Sequence, residues 1–152
     1  MQFTPGQVKE VLDLGEETLR YWRRVLPGLS GRRGYAPCFG FHDVVCLRFV
    51  KEICTVLGLQ VSKIVPVFPE LRRIVAQSIF SHKDVWFLAF DPATETVTKV
   101  TTAELSALTR TVVIIPANVV MDEVRSNLLG LEDTEQPALP FPLVEITGAR
   151  RG

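Results

Sequence analysis

No apolar stretch in this chain of 152 residues approaches the ~18 to 20 residues that a membrane-spanning helix requires, and the N-terminus lacks a basic stretch followed by an apolar one. The sequence therefore reads as that of a cytoplasmic protein without a membrane partner. Cysteine is scarce. Cys38, Cys46 and Cys54 form no Cys-x-x-Cys pair, and His42 and His82 are not spaced to complete a zinc knuckle. An odd number of thiols in one short stretch reads as free, buried cysteine in a reducing compartment, and neither a metal nor any other cofactor is expected. Thiol sensing by Cys46 and Cys54, which share a helix face, is the alternative. Signatures of catalysis are also missing. There is no nucleophile beside a base, no pair of carboxylates in a usable frame and no glycine loop to cradle phosphate, while Asp122-Glu123 reads as the exposed face of a helix. The expectation is that the protein is not an enzyme.

Net charge is absent too, but the balance hides a split. Residues 1–83 hold 12 Lys and Arg against 7 Asp and Glu, a net +5, whereas residues 84–152 hold 5 against 10, a net −5. Phosphate neutralisation by Lys and Arg supplies most non-specific DNA affinity, so the asymmetry points to a nucleic-acid face on the first half. An uneven solvated surface is the plainer alternative.

What is present begins with a well-signalled helix. Thr4 is a natural N-cap, Pro5 suits the first helical position and Gln7 completes a capping box, with Val8, Val11 and Leu12 as the buried stripe. After the break at Asp13-Leu14-Gly15, a second helix over 16–26 separates two faces. Leu19, Trp22 and Leu26 cluster on one, and Glu17, Arg20, Tyr21 and Arg24 point the other way. On a merely solvated face, Glu16 with Arg20, or Glu17 with Arg24, would form weak intrahelical pairs. The flat, hydrogen-bonding ring of Tyr21 and the nearby Arg32 and Arg33 favour a groove-reading helix instead.

Pro27-Gly28-Leu29-Ser30-Gly31 and Gly34 are turn residues, so 27–40 is expected to form a small β-hairpin loop, or wing, with Arg32 and Arg33 at its tip. A planar guanidinium suits phosphate because it can bind in two places. Tyr35 either bonds a phosphate or packs beneath the wing. A third helix over about 42–57, stopped by Gly58, is mostly core. A short helix over 62–68 and a further one from Pro69 follow.

Around Ser81 the pattern changes. Residues 85–90 and 96–100 read as strands joined by a turn at 91–95, Thr101 and Glu104 form a second capping box for a helix to about Thr109, and 111–115 is a third strand. Asn118 is expected to cap a last helix that Gly130 stops, leaving a proline-containing, loosely ordered tail over 131–152. Trp86, Phe87 and Phe90 either line a pocket or pack in the core; their imperfect alternation favours the core. The expected class is α+β: a winged helix-turn-helix domain over 1–80, then a small α/β module of three strands and two helices over 81–130 that serves dimerisation or regulation.

Residues 3–68 resemble the DNA-binding domain of the MerR family of transcriptional regulators. The resemblance runs through Phe3-Thr4-Pro5-Gly6-Gln7-Val8, Thr18-Leu19-Arg20-Tyr21-Trp22, Gly34-Tyr35, Asp43-Val44, Leu47-Arg48-Phe49-Val50 and Leu57-Gly58-Leu59 with Ile64. It implies a homodimer on a pseudo-palindromic site in double-stranded DNA, with RNA polymerase or another protein as a possible further partner. Thr18, Arg20 and Tyr21 fall on the family's DNA-contacting helix, with Glu17, Arg23 and Arg24 beside them, and Arg32, Arg33 and Tyr35 fall in its wing. The chain departs from the family in three ways. Ala36 and Pro37 follow Gly34-Tyr35 where an arginine is usual, with one residue inserted before Asp43. Residues 69–80 give only about three turns in place of a long dimerisation helix, so strands and helix from 84–130 are the candidate dimer surface. None of the cysteines sits where metal-sensing members place ligands. The leading reading is thus a dimeric, sequence-specific transcription factor, and its alternative is an architectural or accessory DNA-binding factor of excisionase, partition or phage type.

Overall fold

A computed structural model describes residues 1–29, 34–80 and 84–134, with the side chains of 132–134 outside that description. The class is α+β. Element order is β1 (Gln2–Phe3), α1 (Pro5–Leu12), α2 (Glu16–Val25), β2 (Phe39–Gly40), α3 (Phe41–Leu57), α4 (Phe68–Ser78), β3 (Trp86–Asp91), β4 (Thr96–Thr101), α5 (Thr102–Leu105), β5 (Val113–Pro116) and α6 (Ala117–Thr134). No helix among the described residues is long and apolar enough to cross a membrane.

Local chemistry sets the helix ends. Thr4 Oγ1 accepts from the Gln7 N–H at 3.2 Å and the Gln7 side chain accepts from the Thr4 N–H at 2.9 Å, so two of the orphan donors of α1 are satisfied. Its C-terminus turns through Asp13, whose φ of 50° is left-handed. Lys51 of α3 donates to the freed carbonyls of Leu12 at 2.6 Å and Asp13 at 3.4 Å. In α2 the acidic Glu16 and Glu17 occupy the first turn and Arg23 and Arg24 the last, the order that the helix dipole favours. Helix α3 ends at Gly58, with φ 63°.

The 62–68 segment is two 3-10 turns, Val61–Lys63 and Val65–Val67, that lead straight into α4. Pro66 and Pro69 each remove an amide donor, which keeps this stretch from closing as one α-helix. Helix α5 is a single turn rather than a helix to Thr109, although its Thr101–Glu104 capping box is formed. Asn118 is not a cap: α6 begins at Ala117 and runs through Gly130 to Thr134, so residues 131–134 of the expected tail are helical. Gly in a helix interior costs about 1 kcal/mol against Ala, and burial of Leu128 and Leu131 on either side outweighs it.

Residues 27–40 do not form a hairpin with themselves among the described residues. Phe39–Gly40 pairs antiparallel with Gln2–Phe3, and the Cys38 N–H donates to the Phe3 carbonyl at 3.0 Å. Pro37 has no amide to give a hairpin ladder, and Phe39 is drawn inward to full burial, so the returning strand finds the chain's own first residues.

The second sheet is antiparallel throughout, in the order β4-β3-β5, with Phe90 opposite Val97 and Val113. This register puts Trp86, Leu88 and Phe90 on one face with Val97, Val113 and Ile115, turned towards the helices. Phe87 and Ala89 fall on the other with Val100, Ile114 and Pro116. Both faces of the central strand are apolar, which explains its unbroken hydrophobic run. Helix α6 packs on α1, α3 and β3, and α4 packs on α3 and β4. One hydrophobic core therefore runs from Phe3 to Leu131, with the Phe49 and Trp86 rings 6.1 Å apart near its middle.

Candidate nucleic-acid interface

Leu19 and Trp22 bury one side of α2. Burying side chains of that size stabilises the docked helix by roughly 1.5 to 3 kcal/mol each and fixes which residues face outward. Glu16, Glu17, Thr18, Arg20, Tyr21 and Arg24 are exposed there, and Tyr21 is 41% exposed despite its ring.

The exposed cations are organised rather than scattered. Arg20 pairs with Glu17 at 2.8 Å and with Glu16 at 3.7 Å. Arg24 does not pair with Glu17; its guanidinium lies over the Tyr21 ring, 5.3 Å from the centroid. Solvent-exposed pairs of this kind contribute about 0.2 to 1 kcal/mol, so a polyanion can exchange them for its own oxygens at small cost. Arg23 is turned to the loop side. It is half-buried, donates to the Gly34 carbonyl at 3.3 Å and stacks over the Phe39 ring at 5.6 Å.

A groove of about 550 Å³ separates α2 from the start of α1 and from Gly34 and Tyr35. Lys9, Arg20, Arg23 and Arg24 line it, with Glu16 the only carboxylate among its described lining residues. Lys9 is not legible as a site residue, because position 9 lies on the polar side of an ordinary amphipathic helix and only the angle between α1 and α2 brings it to the groove that Arg20 lines. Tyr35 is exposed at the groove's rim, and its side chain does not pack under the loop. Arg32 and Arg33 lie outside the described residues.

Beneath the loop is a polar cluster that the sequence does not advertise. Asp43 is 1% exposed; it accepts from the Gly40 N–H at 2.9 Å and from Arg72 of α4 at 3.0 Å, and His42 Nε2 lies 3.2 Å from it. Gly28, at φ +83°, lies against the same arginine: a Cβ there would stand 2.0 Å from Arg72 Nη1. Gly28, in the loop that follows α2, is thereby seated on a charge pair whose carboxylate is buried.

Cysteine chemistry is not prominent. Burial, and then the neighbouring Asp43 charge, push the Cys46 thiol far up, and burial raises Cys54 as well. Both are held as thiols rather than the reactive thiolate. Among the described residues no three His, Cys, Asp or Glu side chains gather as a metal site. No protein-family model matches the chain, and no curated protein matches it.

Proposed function

We propose that the chain is a sequence-specific, dimeric DNA-binding regulator of transcription, in which α1 and α2 act as a helix-turn-helix and the loop over 27–40 as its wing. In this reading α2 enters the major groove. Thr18, Arg20 and Tyr21 meet base edges, with Glu17 and Arg24 beside them, while Lys9 and Arg23 hold the phosphate rail along the adjoining groove. Arg32, Arg33 and Tyr35 approach the flanking backbone. The observation that carries the reading is the grouping of Lys9, Arg20, Arg23 and Arg24 around one groove at an exposed helix, where Glu16 is the one carboxylate among the described lining residues and Glu17 pairs with Arg20 from beside it. A polyanion can take up such a group of cations by exchanging their weak exposed partners for its own oxygens.

The test is footprinting of the purified protein on the DNA upstream of its own gene at two salt concentrations. Protection of a symmetric site that weakens steeply with salt is the expected result, and affinity indifferent to salt overturns the reading. Side-by-side coating of DNA without any effect on transcription selects the architectural alternative.

A further inference from the structure

Phosphate repels carboxylates, so a glutamate on a helix that faces DNA needs a donor to meet. Glu17 is such a residue. Its side chain is 83% exposed on α2 and its Oε1 accepts from Arg20 Nη1 at 2.8 Å, while Arg20 is itself 64% exposed. Glu16, 3.7 Å from the other terminal nitrogen of Arg20, stands beyond hydrogen-bond range, and Arg24 is drawn away over the Tyr21 ring. Arg20 and Glu17 therefore project from the first half of α2 as one unit, a donor and an acceptor side by side. That is the half of a recognition helix whose residues contact base edges.

We propose that Arg20 and Glu17 together read a single G·C base pair, Arg20 donating to guanine N7 and O6 and Glu17 accepting from the cytosine N4 amino group. The inference rests on the DNA-binding reading and adds to it the identity of one base pair in the site. Along its major-groove edge a G·C pair presents acceptor, acceptor and donor, counted from guanine, whereas an A·T pair presents acceptor, donor and acceptor. Two adjacent acceptors are what the planar fork of an arginine binds, and the amino donor that follows them is what a carboxylate binds. Spacing agrees with this order. Guanine O6 and cytosine N4 are themselves joined by a hydrogen bond of about 2.9 Å, and the Arg20 nitrogen and Glu17 oxygen that would face them are 2.8 Å apart. The pair therefore docks without being broken, and each charge keeps its partner as water leaves the groove.

The test is selection of sites from a random pool of duplex DNA by the full chain, followed by two base replacements in the recovered site. Substituting 7-deazaguanine puts a C–H in place of the N7 acceptor, and N4-methylcytosine puts a methyl in place of the amino hydrogen that faces the major groove. The recovered sites are expected to share a G·C pair at which each replacement weakens wild-type binding about tenfold or more. Arg20→Ala should abolish the penalty from 7-deazaguanine, and Glu17→Ala the penalty from N4-methylcytosine. Both side chains are exposed, so neither truncation removes core packing. Recovered sites without a shared G·C pair overturn the inference and leave the DNA-binding reading standing. So does N4-methylcytosine that costs wild type nothing, or that costs Glu17→Ala as much as wild type. A penalty from 7-deazaguanine alone makes Arg20 a lone reader and overturns the pairing. A chain without affinity for duplex DNA at any salt concentration sinks the functional reading and this inference together.

Discussion

Arg72 donates to Asp43 across 3.0 Å while its other terminal nitrogen lies against Gly28, so one side chain of α4 joins the start of α3 to the loop that follows α2. A buried carboxylate left without its cation is destabilising, and Arg72 is itself about a quarter exposed, which tempers the effect. Arg72→Ala is expected to cost about 2 to 3 kcal/mol in urea unfolding. In a double-mutant cycle with Asp43→Asn the two substitutions should fall well short of additivity. Additive losses would mean that the pair is not coupled.

Gly28→Ala combines a left-handed backbone that a side chain resists with displacement of that arginine. Strain of this kind costs roughly 1 to 3 kcal/mol. The variant is expected to melt at lower temperature, and Arg72→Ala introduced alongside it should remove the part of the loss that comes from crowding. An unchanged melting temperature for Gly28→Ala refutes the close approach.

On α2, Arg20→Ala should lower the slope of log affinity against log salt by about one unit if the side chain meets phosphate, or cost about 1 to 3 kcal/mol at one base position if it reads a base. Glu17→Gln should tighten non-specific DNA binding, because it frees Arg20 from its 2.8 Å partner and removes a negative charge from the ridge. Its effect on stability should stay within about 0.5 kcal/mol. Weaker non-specific binding by Glu17→Gln would show that Glu17 supports contact with the nucleic acid.

Asp91 gives the pH dependence. Its burial opposes ionisation, yet amide hydrogen bonds from Thr94 and Ala93, with Arg110 at 3.5 Å, hold the carboxyl below the usual carboxylate range. The unfolded chain therefore binds the proton more readily than the native one. The stabilisation is present above the ordinary carboxylate pKa and is lost as pH falls through the lower native value. Asp91→Asn should flatten the acid limb of the stability profile at the turn between β3 and β4, and a carbon-detected titration of Asp91 should place its midpoint below that of a model aspartate.

Cys46 and Cys54 are kept protonated by burial, so thiol reagents should label Cys46 at a rate set by unfolding rather than by reagent concentration. Rapid labelling of Cys46 in the native protein at neutral pH would contradict the packing of α3.

How much of this was legible in the sequence follows the range of the interactions. The Thr4–Gln7 cap, the two faces of α2, the stop at Gly58 and the turn after Asp91 are decided within a few residues, and each appears where the pattern puts it. The β1–β2 pairing joins residues 2–3 to 39–40 through two-residue strands too short to carry any periodicity. Position 72 reads as one of several arginines on a polar helix face until α4 is folded against α3. Gly130 misleads for a related reason: the tertiary burial of Leu128 and Leu131 overrides a local stop signal. At the candidate interface, α2 displays its cations by local geometry, whereas Lys9 joins them only through the α1–α2 crossing.

The carbonyls that close α1 are held from two distant places. Lys51 takes those of Leu12 and Asp13, and Asn127 of α6 donates to that of Val11 at 3.2 Å. The hinge between the first two helices is thus buttressed by a residue more than a hundred positions downstream. A proteolytic fragment cut near residue 80 would lose that buttress together with the apolar cover α6 lays over α1 and α3, and should emerge loosened and protease-sensitive rather than as an independently folded domain.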